Sequence, residues 1–221
     1  MKVEQEAQPR RGTVFVLSGP SGVGKTSLCK QILATVPQVT QSVAYTTRAA
    51  RPHEQDGYAY HFISREVFAQ RIAAGDFLEW AQVHDHLYGT SRQQVEEATA
   101  AGQDILLAID VQGAAKLRSA GVDAVFVFVL PPDWETLEAR LLQRGSEPPE
   151  VRRRRLEVAR QELEHYTQYD YVVQNEQLDT AAATLQAIIV AERHRIKRVG
   201  TAVVVPLLAS HITASMESRP V

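Results

Sequence analysis

A glycine-rich stretch, GPSGVGKT at residues 19–26, carries the most easily recognised chemistry in this sequence. It fits the phosphate-loop pattern G-x-x-x-x-G-K-[ST], in which the glycines let successive backbone N–H groups point at phosphate oxygens. The lysine of this pattern reaches the β and γ phosphates, and the threonine hydroxyl can ligate Mg²⁺. We therefore predict a nucleotide phosphate site, which an ATP-binding protein would use for ATP, with Mg²⁺ at Thr26 and formed by Gly19, Pro20, Ser21, Gly22, Val23, Gly24, Lys25 and Thr26.

A second polar group follows in TTRAARPHEQDGYAYHF, residues 46–62. Arg48 and Arg51 stand three positions apart, and Tyr60 follows nine positions after Arg51. Two guanidinium groups and a phenol can form a charge-assisted clamp for a phosphate dianion. The alternative is that both arginines are solvated surface charges. The clamp interpretation predicts a second, phosphate-bearing substrate, and hence a transferase rather than a hydrolase.

Two carboxylates complete the set of candidate site residues. Glu79 lies in an apolar run, where an acid needs a ligand that donates hydrogen bonds. Guanine has two adjacent donors, the ring N1–H and the exocyclic amino group, whereas adenine has an acceptor at N1, so Glu79 predicts guanine recognition. Asp110 ends the buried run at residues 104–110, where an acid would face metal or substrate. The alternative for Asp110 is a helix N-cap.

The elements that must position these residues follow an α/β rhythm. Apolar runs at residues 13–18, 104–110 and 124–130 are typical of strands buried on both faces of a parallel sheet. Helical patterns follow them, the first with Leu28, Ile32 and Leu33 on its apolar face. Residues 44–89 break the rhythm as a small, partly antiparallel lobe with a helix at SREVFAQRIAAG. An arginine-dense segment at residues 144–156 lies between two further helices, and a final helix is predicted at residues 179–199.

Composition limits the protein classes. A net charge of −2 and 44% apolar residues are typical of a globular enzyme rather than a general nucleic-acid or membrane-surface binder. Glutamates interleave with the arginine run, which argues against an RNA-binding patch. Cys29 is the only cysteine, so an intrachain disulfide is excluded. Neither an apolar signal core nor a run of roughly 20 apolar residues is present, so we expect a cytoplasmic protein. Oligomeric state cannot be read from the sequence.

The motifs GPSGVGKT, TTRxxRPxExxGxxYxF, FLEWAxVxxxxYGT and IDVQGA, in this order, resemble guanylate kinase, an enzyme that phosphorylates GMP with ATP. The resemblance implies a P-loop kinase fold, a parallel sheet flanked by helices with an inserted GMP-binding lobe and a helical lid. It implies a core at residues 12–43, 90–132 and 157–199, a lobe at 44–89 and a lid at 133–156. Residues 1–11 and 200–221 are then an N-terminal extension and a tail of unknown role.

The same resemblance implies roles for particular residues. Tyr88 joins the clamp for the GMP phosphate, and Thr90 helps Glu79 to read the guanine edge. Arg140, Arg144 and Arg155 match the arginines of the lid and, with Lys25 and Arg48, form the catalytic set. Asn175 matches a position beside the adenine of ATP. The implied set for GMP is Arg48, Arg51, Tyr60, Glu79, Tyr88, Thr90 and Asp110.

Two positions depart from the family pattern. Ala44 stands where the family has a serine that helps bind guanine, and Ala108 stands where it has an aspartate. Each alanine removes a polar contact, so GMP affinity is expected to be lower unless Tyr45 or Thr46 compensates. The alternatives are a non-catalytic binding module, a sugar-phosphate kinase and a simple ATPase or GTPase switch, the last of which leaves the inserted lobe without a function. The first has no need for Lys25 and the lid arginines, and the second has no use for Glu79.

Overall fold

A parallel five-stranded sheet forms the centre of the protein in the computed structural model, which describes residues 10–52, 54–83, 85–143 and 149–199. In spatial order the strands are β2 (Val39–Gln41), β7 (Asp104–Ala108), β1 (Val14–Ser18), β8 (Ala124–Leu130) and β9 (Tyr171–Gln174). All four strand pairings are parallel. The predicted parallel sheet is confirmed.

Helices cover both faces of this sheet because its strands are apolar on both sides. Side chains alternate along β1, so Phe15 and Leu17 face one layer while Val14 and Val16 face the other. The first layer contains α1 (Lys25–Thr35) and α7 (Leu178–Arg193), and the second contains α3 (Arg92–Ala100) and α4 (Val111–Ser119). Burial of the two apolar clusters fixes the sheet between its helices.

A second, four-stranded sheet forms in the region expected to be an inserted lobe. Its strands are β4 (His61–Phe62), β3 (Tyr45–Thr46), β6 (His86–Ser91) and β5 (Phe77–Val83), in that spatial order. β3 and β4 are parallel, whereas β3–β6 and β5–β6 are antiparallel. The predicted helix is α2 (Arg65–Ala74), which begins after the capping hydroxyl of Ser64.

Two further helices, α5 (Trp134–Gln143) and α6 (Pro149–Leu163), pack against each other in the region expected to be a lid. The 3₁₀ helix Glu164–Gln168 then leads into β9. The helix predicted at residues 179–199 is divided into α7 and α8 (Ile196–Val199), because the backbone leaves helical geometry at His194 (φ −100°, ψ 6°). Residues 1–9 and 200–221, which carry two of the sequence predictions, lie outside the described residues.

Two details of the sequence interpretation were incomplete. Leu33 is 37% exposed, so the apolar face of α1 rests on Leu28 and Ile32 instead. α3 was not predicted, because it is short and mostly polar and buries only Val95 and Thr99. Among the described residues, no helix combines the length and apolarity that crossing a membrane would require.

The carboxyl ends of the central strands meet at one edge of the sheet, as parallel pairing requires. The phosphate loop follows β1, Asp110 follows β7, α5 follows β8 and Asn175 follows β9. In open α/β sheets this edge is where ligands bind. The fold thereby collects residues that are distant in sequence at one site.

Candidate functional site

The phosphate loop is held between β1 and two neighbouring strands. The Ser18 hydroxyl donates to the carbonyl oxygens of Ile109 (2.8 Å) and Asp110 (3.0 Å), which fixes the start of the loop to the end of β7. Gly19 has φ +142°, and a Cβ there would lie 2.3 Å from the carbonyl oxygen of Val129 on β8. Only glycine fits this approach, so the loop can curl tightly at the end of the sheet.

Lys25 and Thr26 begin helix α1 directly after the loop. The Lys25 ammonium donates to the carbonyl oxygens of Gly19 (2.6 Å) and Pro20 (3.2 Å), so it lies across the loop it belongs to. Phosphate oxygens bound by the loop would come within reach of this ammonium and of the positive end of the α1 dipole. The arrangement suits the triphosphate of a nucleotide.

Thr26 fits the Mg²⁺ role predicted for it. Its side chain is exposed in the first turn of α1, beside the loop that would hold the phosphates. Magnesium in nucleotide sites takes one or two protein oxygens, and phosphates and waters supply the rest. Among the described residues, no group of three or more His, Cys, Asp or Glu side chains is placed to hold a metal ion.

Asn175 supports the loop from the other side. Its side-chain amide donates to the carbonyl oxygen of Val23 at 2.7 Å, and only 5% of the residue is exposed. A Cβ on Gly24 would lie 2.4 Å from the Asn175 amide nitrogen, so these two residues are in direct contact. The position was expected to lie beside adenine. In the structure its amide braces the phosphate loop.

Of the three predicted lid arginines, the structure brings Arg140 to the loop region. Its two terminal nitrogens lie 3.4 and 3.5 Å from the carbonyl oxygen of Asn175. Arg155 lies on α6 and is partly buried. Arg144 lies outside the described residues.

Arg48 and Arg51 converge on a single carboxylate, that of Glu54. The Arg48 guanidinium donates to Glu54 Oε1 at 2.8 Å, and the Arg51 guanidinium lies 3.7 Å from the same oxygen. Burial opposes ionisation of Glu54, but hydrogen bonds from the Arg51 backbone and the Arg48 side chain outweigh it and lower its pKa. The predicted pairing of the two arginines in space is present.

Two tyrosines complete this cluster. The rings of Tyr60 and Tyr88 meet edge to face with their centroids 5.8 Å apart, and the Arg48 guanidinium lies 5.5 Å from the Tyr60 ring. Burial opposes the charged form of Arg48, but hydrogen bonds to Glu54 and Tyr88 prevail and raise its pKa. The four residues predicted to hold a phosphate thus lie together on the lobe: Arg48, Arg51, Tyr60 and Tyr88.

Glu79 and Thr90 form the second polar pair of the lobe. They face each other across β5 and β6, and the Thr90 hydroxyl donates to Glu79 Oε1 at 2.6 Å. Only 7% of Glu79 is exposed, and burial raises its pKa to about 7. The bond from Thr90 and the charge of Lys116 lower this pKa, while the charge of Asp110 raises it further. A buried carboxylate of this kind suits a ligand that donates hydrogen bonds.

Asp110 caps helix α4, as its alternative interpretation predicted. Its Oδ1 accepts hydrogen bonds from the backbone N–H groups of Gln112 (2.7 Å) and Gly113 (2.8 Å). The cap also brings α4 against Glu79, because a Cβ on Gly113 would lie 2.6 Å from Glu79 Oε2. Asp110 therefore lies where the central sheet meets the lobe.

Tyr45 and Thr46, which could replace the polar contact missing at Ala44, both make other contacts. The Tyr45 ring stacks on His61 with centroids 4.5 Å apart. Thr46 is fully buried, and its hydroxyl oxygen accepts a hydrogen bond from the backbone N–H of Arg48 at 3.1 Å. Thr46 therefore supports the arginine.

Three residues at the site were given no role from sequence. Glu54 stands inside the quoted motif TTRxxRPxExxGxxYxF, which was the available signal. Gly113 lies in the motif IDVQGA, three residues after Asp110, but no sequence pattern reveals its contact with Glu79. Glu162 belongs to a charged helix; burial raises its pKa, and the nearby positive charge of Lys25 opposes that shift.

Known proteins resemble this chain over most of its length. A family model described as guanylate kinase matches residues 11–192. A guanylate kinase of Symbiobacterium thermophilum is 49% identical over 198 residues, which cover 90% of this chain and 94% of the relative. That of Syntrophotalea carbinolica is 47% identical over 190 residues, covering 86% and 90%.

The fold agrees with the sequence comparison. The crystal structure of a guanylate kinase from Anaplasma phagocytophilum superposes with a TM-score of 0.73 at 33% identity, covering 86% of this chain and 90% of that one. The family match over residues 11–192 includes every strand of the central sheet and of the lobe. The chain therefore belongs to the guanylate kinase family, a family of nucleoside monophosphate kinases.

Proposed function

We propose that this protein transfers the γ-phosphoryl group of ATP to GMP, giving ADP and GDP, in a Mg²⁺-dependent reaction. Such a reaction would recycle GMP within purine nucleotide metabolism. Family membership supports the reaction type. The arrangement of the lobe supports GMP as the acceptor.

The Glu79–Thr90 pair is the observation that carries the choice of acceptor. With Thr90 bonded to Oε1, Glu79 presents a nearly buried carboxylate to the ligand. Guanine can donate its N1–H and amino group to that carboxylate. Adenine would place its N1 acceptor against the Glu79 carboxylate. Neither the N1 nitrogen nor the carboxylate oxygen would then have a donor, which is costly in a buried site. The pair thus favours GMP over AMP.

The clamp of Arg48, Arg51, Tyr60 and Tyr88 would hold the phosphate of GMP. An ionised oxygen of that phosphate forms a bond to the γ-phosphorus, while the bond from the γ-phosphorus to the β–γ bridging oxygen breaks. The electron pair leaves with ADP. Because the attacking oxygen is already ionised, the residues need only align the two substrates and neutralise charge.

On the ATP side, the backbone of residues 19–26 would bind the phosphates and Lys25 would stabilise the charge of the transferred group. Mg²⁺, when bound, would neutralise phosphate oxygens, and Thr26 is the residue we assign to hold it. We assign Arg140, Arg144 and Arg155 to the triphosphate, Asn175 to the adenine side and Asp110 to the GMP side. Closure over both substrates would exclude water as an acceptor.

We also propose the domain division that the resemblance implies. The core comprises residues 12–43, 90–132 and 157–199, the GMP lobe residues 44–89, and the lid residues 133–156. Residues 1–11 and 200–221 lie outside this catalytic domain. The separate four-stranded sheet of β3–β6 supports the lobe assignment.

A coupled assay of ADP release tests the proposal. The protein is supplied with Mg-ATP and, in parallel, with GMP, AMP, CMP, UMP or no acceptor. We expect ADP release with GMP that exceeds every other reaction by at least about a hundredfold. Equal release without an acceptor would identify an ATPase, and a preference for AMP would contradict the role given to Glu79.

A further inference from the structure

Glu54 lies at the centre of the clamp, although the mechanism above gives it no task. Its side chain is only 10% exposed, between Arg48 and Arg51. A carboxylate inside a site for a phosphate dianion is unexpected, because the two anions repel each other. Its presence therefore requires a physical reason.

Two backbone hydrogen bonds hold Glu54 in its place between the arginines. Its Oε2 accepts a hydrogen bond from the backbone N–H of Arg51 at 2.9 Å, and its own N–H donates to the Arg51 carbonyl oxygen at 2.9 Å. These two bonds close a tight turn around the carboxylate. Displacing Glu54 would leave the Arg51 N–H without this acceptor, so the carboxylate is part of the loop rather than a mobile substitute for phosphate.

Glu54 also helps to orient the guanidinium of Arg48. One terminal nitrogen of Arg48 bonds to Glu54 Oε1 at 2.8 Å, and the other donates to the Ala49 carbonyl oxygen at 2.7 Å. The guanidinium also lies over the rings of Tyr60 and Phe62, at 5.5 and 5.7 Å. A guanidinium has five N–H donors, so Arg48 retains donors for a phosphate while its orientation is set.

Glu54 also reduces the electrostatic repulsion between Arg48 and Arg51. The two guanidinium groups share one carboxylate oxygen, at 2.8 Å from Arg48 and 3.7 Å from Arg51. Without an anion between them, two like charges on one short loop would move apart. Holding them together in advance lowers the entropy lost when a phosphate binds.

We propose that Glu54 is a positioning residue for acceptor binding: it holds Arg48 and Arg51 together before GMP arrives and so raises affinity for the GMP phosphate. This inference rests on the proposed function. It adds a residue that acts on the phosphate of GMP through the two arginines and has no contact with the reacting atoms. Glu54 therefore controls the affinity for GMP rather than the rate of transfer.

The test compares Glu54→Gln and Glu54→Ala with the unchanged protein. Glutamine keeps the shape and can still accept from the Arg51 N–H but carries no charge, whereas alanine removes both. Asp56→Asn is the matched control, because Asp56 lies in the same loop and its Oδ1 accepts from the Phe62 N–H at 2.8 Å. Calorimetry gives the Kd of GMP and of guanosine, and steady-state kinetics give kcat and KM for GMP.

We expect the Kd of GMP to rise roughly fivefold in Glu54→Gln and roughly twentyfold in Glu54→Ala, while the Kd of guanosine changes by less than about twofold. The kcat at saturating GMP should stay within about threefold of the original. Unchanged guanosine binding also shows that the lobe is folded. Asp56→Asn should alter neither ligand's Kd.

Three outcomes would overturn the inference. Equal or tighter GMP binding by Glu54→Gln would mean that the carboxylate competes with phosphate. Equal weakening of GMP and guanosine would mean that Glu54 only supports the fold of the lobe. An unchanged protein that neither binds nor phosphorylates GMP would overturn the proposed function, and this inference with it.

Discussion

The two proposed substrate sites of this molecule would use different parts of the chain, backbone groups for ATP and side chains for GMP. On the ATP side, the loop after β1 presents backbone groups at the end of a strand that is buried along its whole length. On the proposed GMP side, the candidate contacts are side chains from separate segments, including Arg48 after β3 and Glu79 on β5. Backbone groups are fixed by the loop fold, whereas side chains have to be held by their neighbours.

Single substitutions on the two sides should therefore affect different kinetic constants. On the ATP side few side chains matter, but those that do meet charge that develops in the transition state, so their loss should lower kcat. On the GMP side each side chain contributes to ground-state binding and has its own partners, so substitution should mainly raise KM. Substitutions on each side can therefore test this separation of kcat from KM.

Substitution of Lys25 should have the largest effect. Lys25→Ala removes the ammonium that lies across the phosphate loop, and we expect kcat to fall by roughly a thousandfold. The KM for GMP should change by less than about threefold, because we assign GMP to the lobe and not to the phosphate loop. Steady-state kinetics at saturating ATP measure both constants.

Lys30 provides the control for Lys25, since it is exposed on the same helix. Lys30→Ala should leave kcat within about twofold. If Lys25→Ala instead raised the KM for GMP with kcat intact, the separation between the two sides would be wrong.

Removal of the Glu79 charge should have the second-largest effect. In Glu79→Gln the amide group can donate to the N1 acceptor of adenine, so we expect the ratio of kcat/KM for GMP to that for AMP to fall by roughly a hundredfold. The loss should lie mainly in the KM for GMP. Glu96→Gln, an exposed change on α3, is the control and should leave the ratio unchanged. An undiminished preference for GMP in Glu79→Gln would remove Glu79 from guanine recognition.

The same contrast explains what the sequence could predict. The phosphate loop was predictable because its residues are contiguous and its backbone geometry depends on local glycines. Arg48, Arg51 and Glu79 were predictable as candidates because their charges stand out in their surroundings. The contacts that define them were not, since Glu54 and Gly113 act through packing that brings distant segments together. Asp110 carried two interpretations that spacing alone could not separate.

Protonation of Glu79 should have a smaller and reversible effect on guanosine binding. Its pKa is raised to about 7 by burial, so the fraction of the ionised, guanine-accepting form increases as pH rises through that value. We expect the Kd of guanosine to fall roughly tenfold between about pH 6 and about pH 8. Guanosine is used because the phosphate of GMP titrates in the same range. A Kd that is flat with pH, or one equally steep in Glu79→Gln, would contradict this assignment.

The smallest effect should come from Gly113, whose lack of a side chain makes room for Glu79 Oε2. In Gly113→Ala the new methyl group has to push the carboxylate from its place beside Thr90, and we expect the KM for GMP to rise roughly fivefold. The kcat should be unchanged, because the ATP side is not disturbed. Alanine favours a helix over glycine by roughly 0.5–1 kcal/mol, so the free energy of unfolding should not fall in parallel with affinity.

Gln112→Ala, exposed on the same turn of α4, should leave the KM unchanged. A Gly113→Ala protein that bound GMP normally would show that the position of the Glu79 carboxylate is not set by α4, and that the lobe reads guanine without help from the central domain.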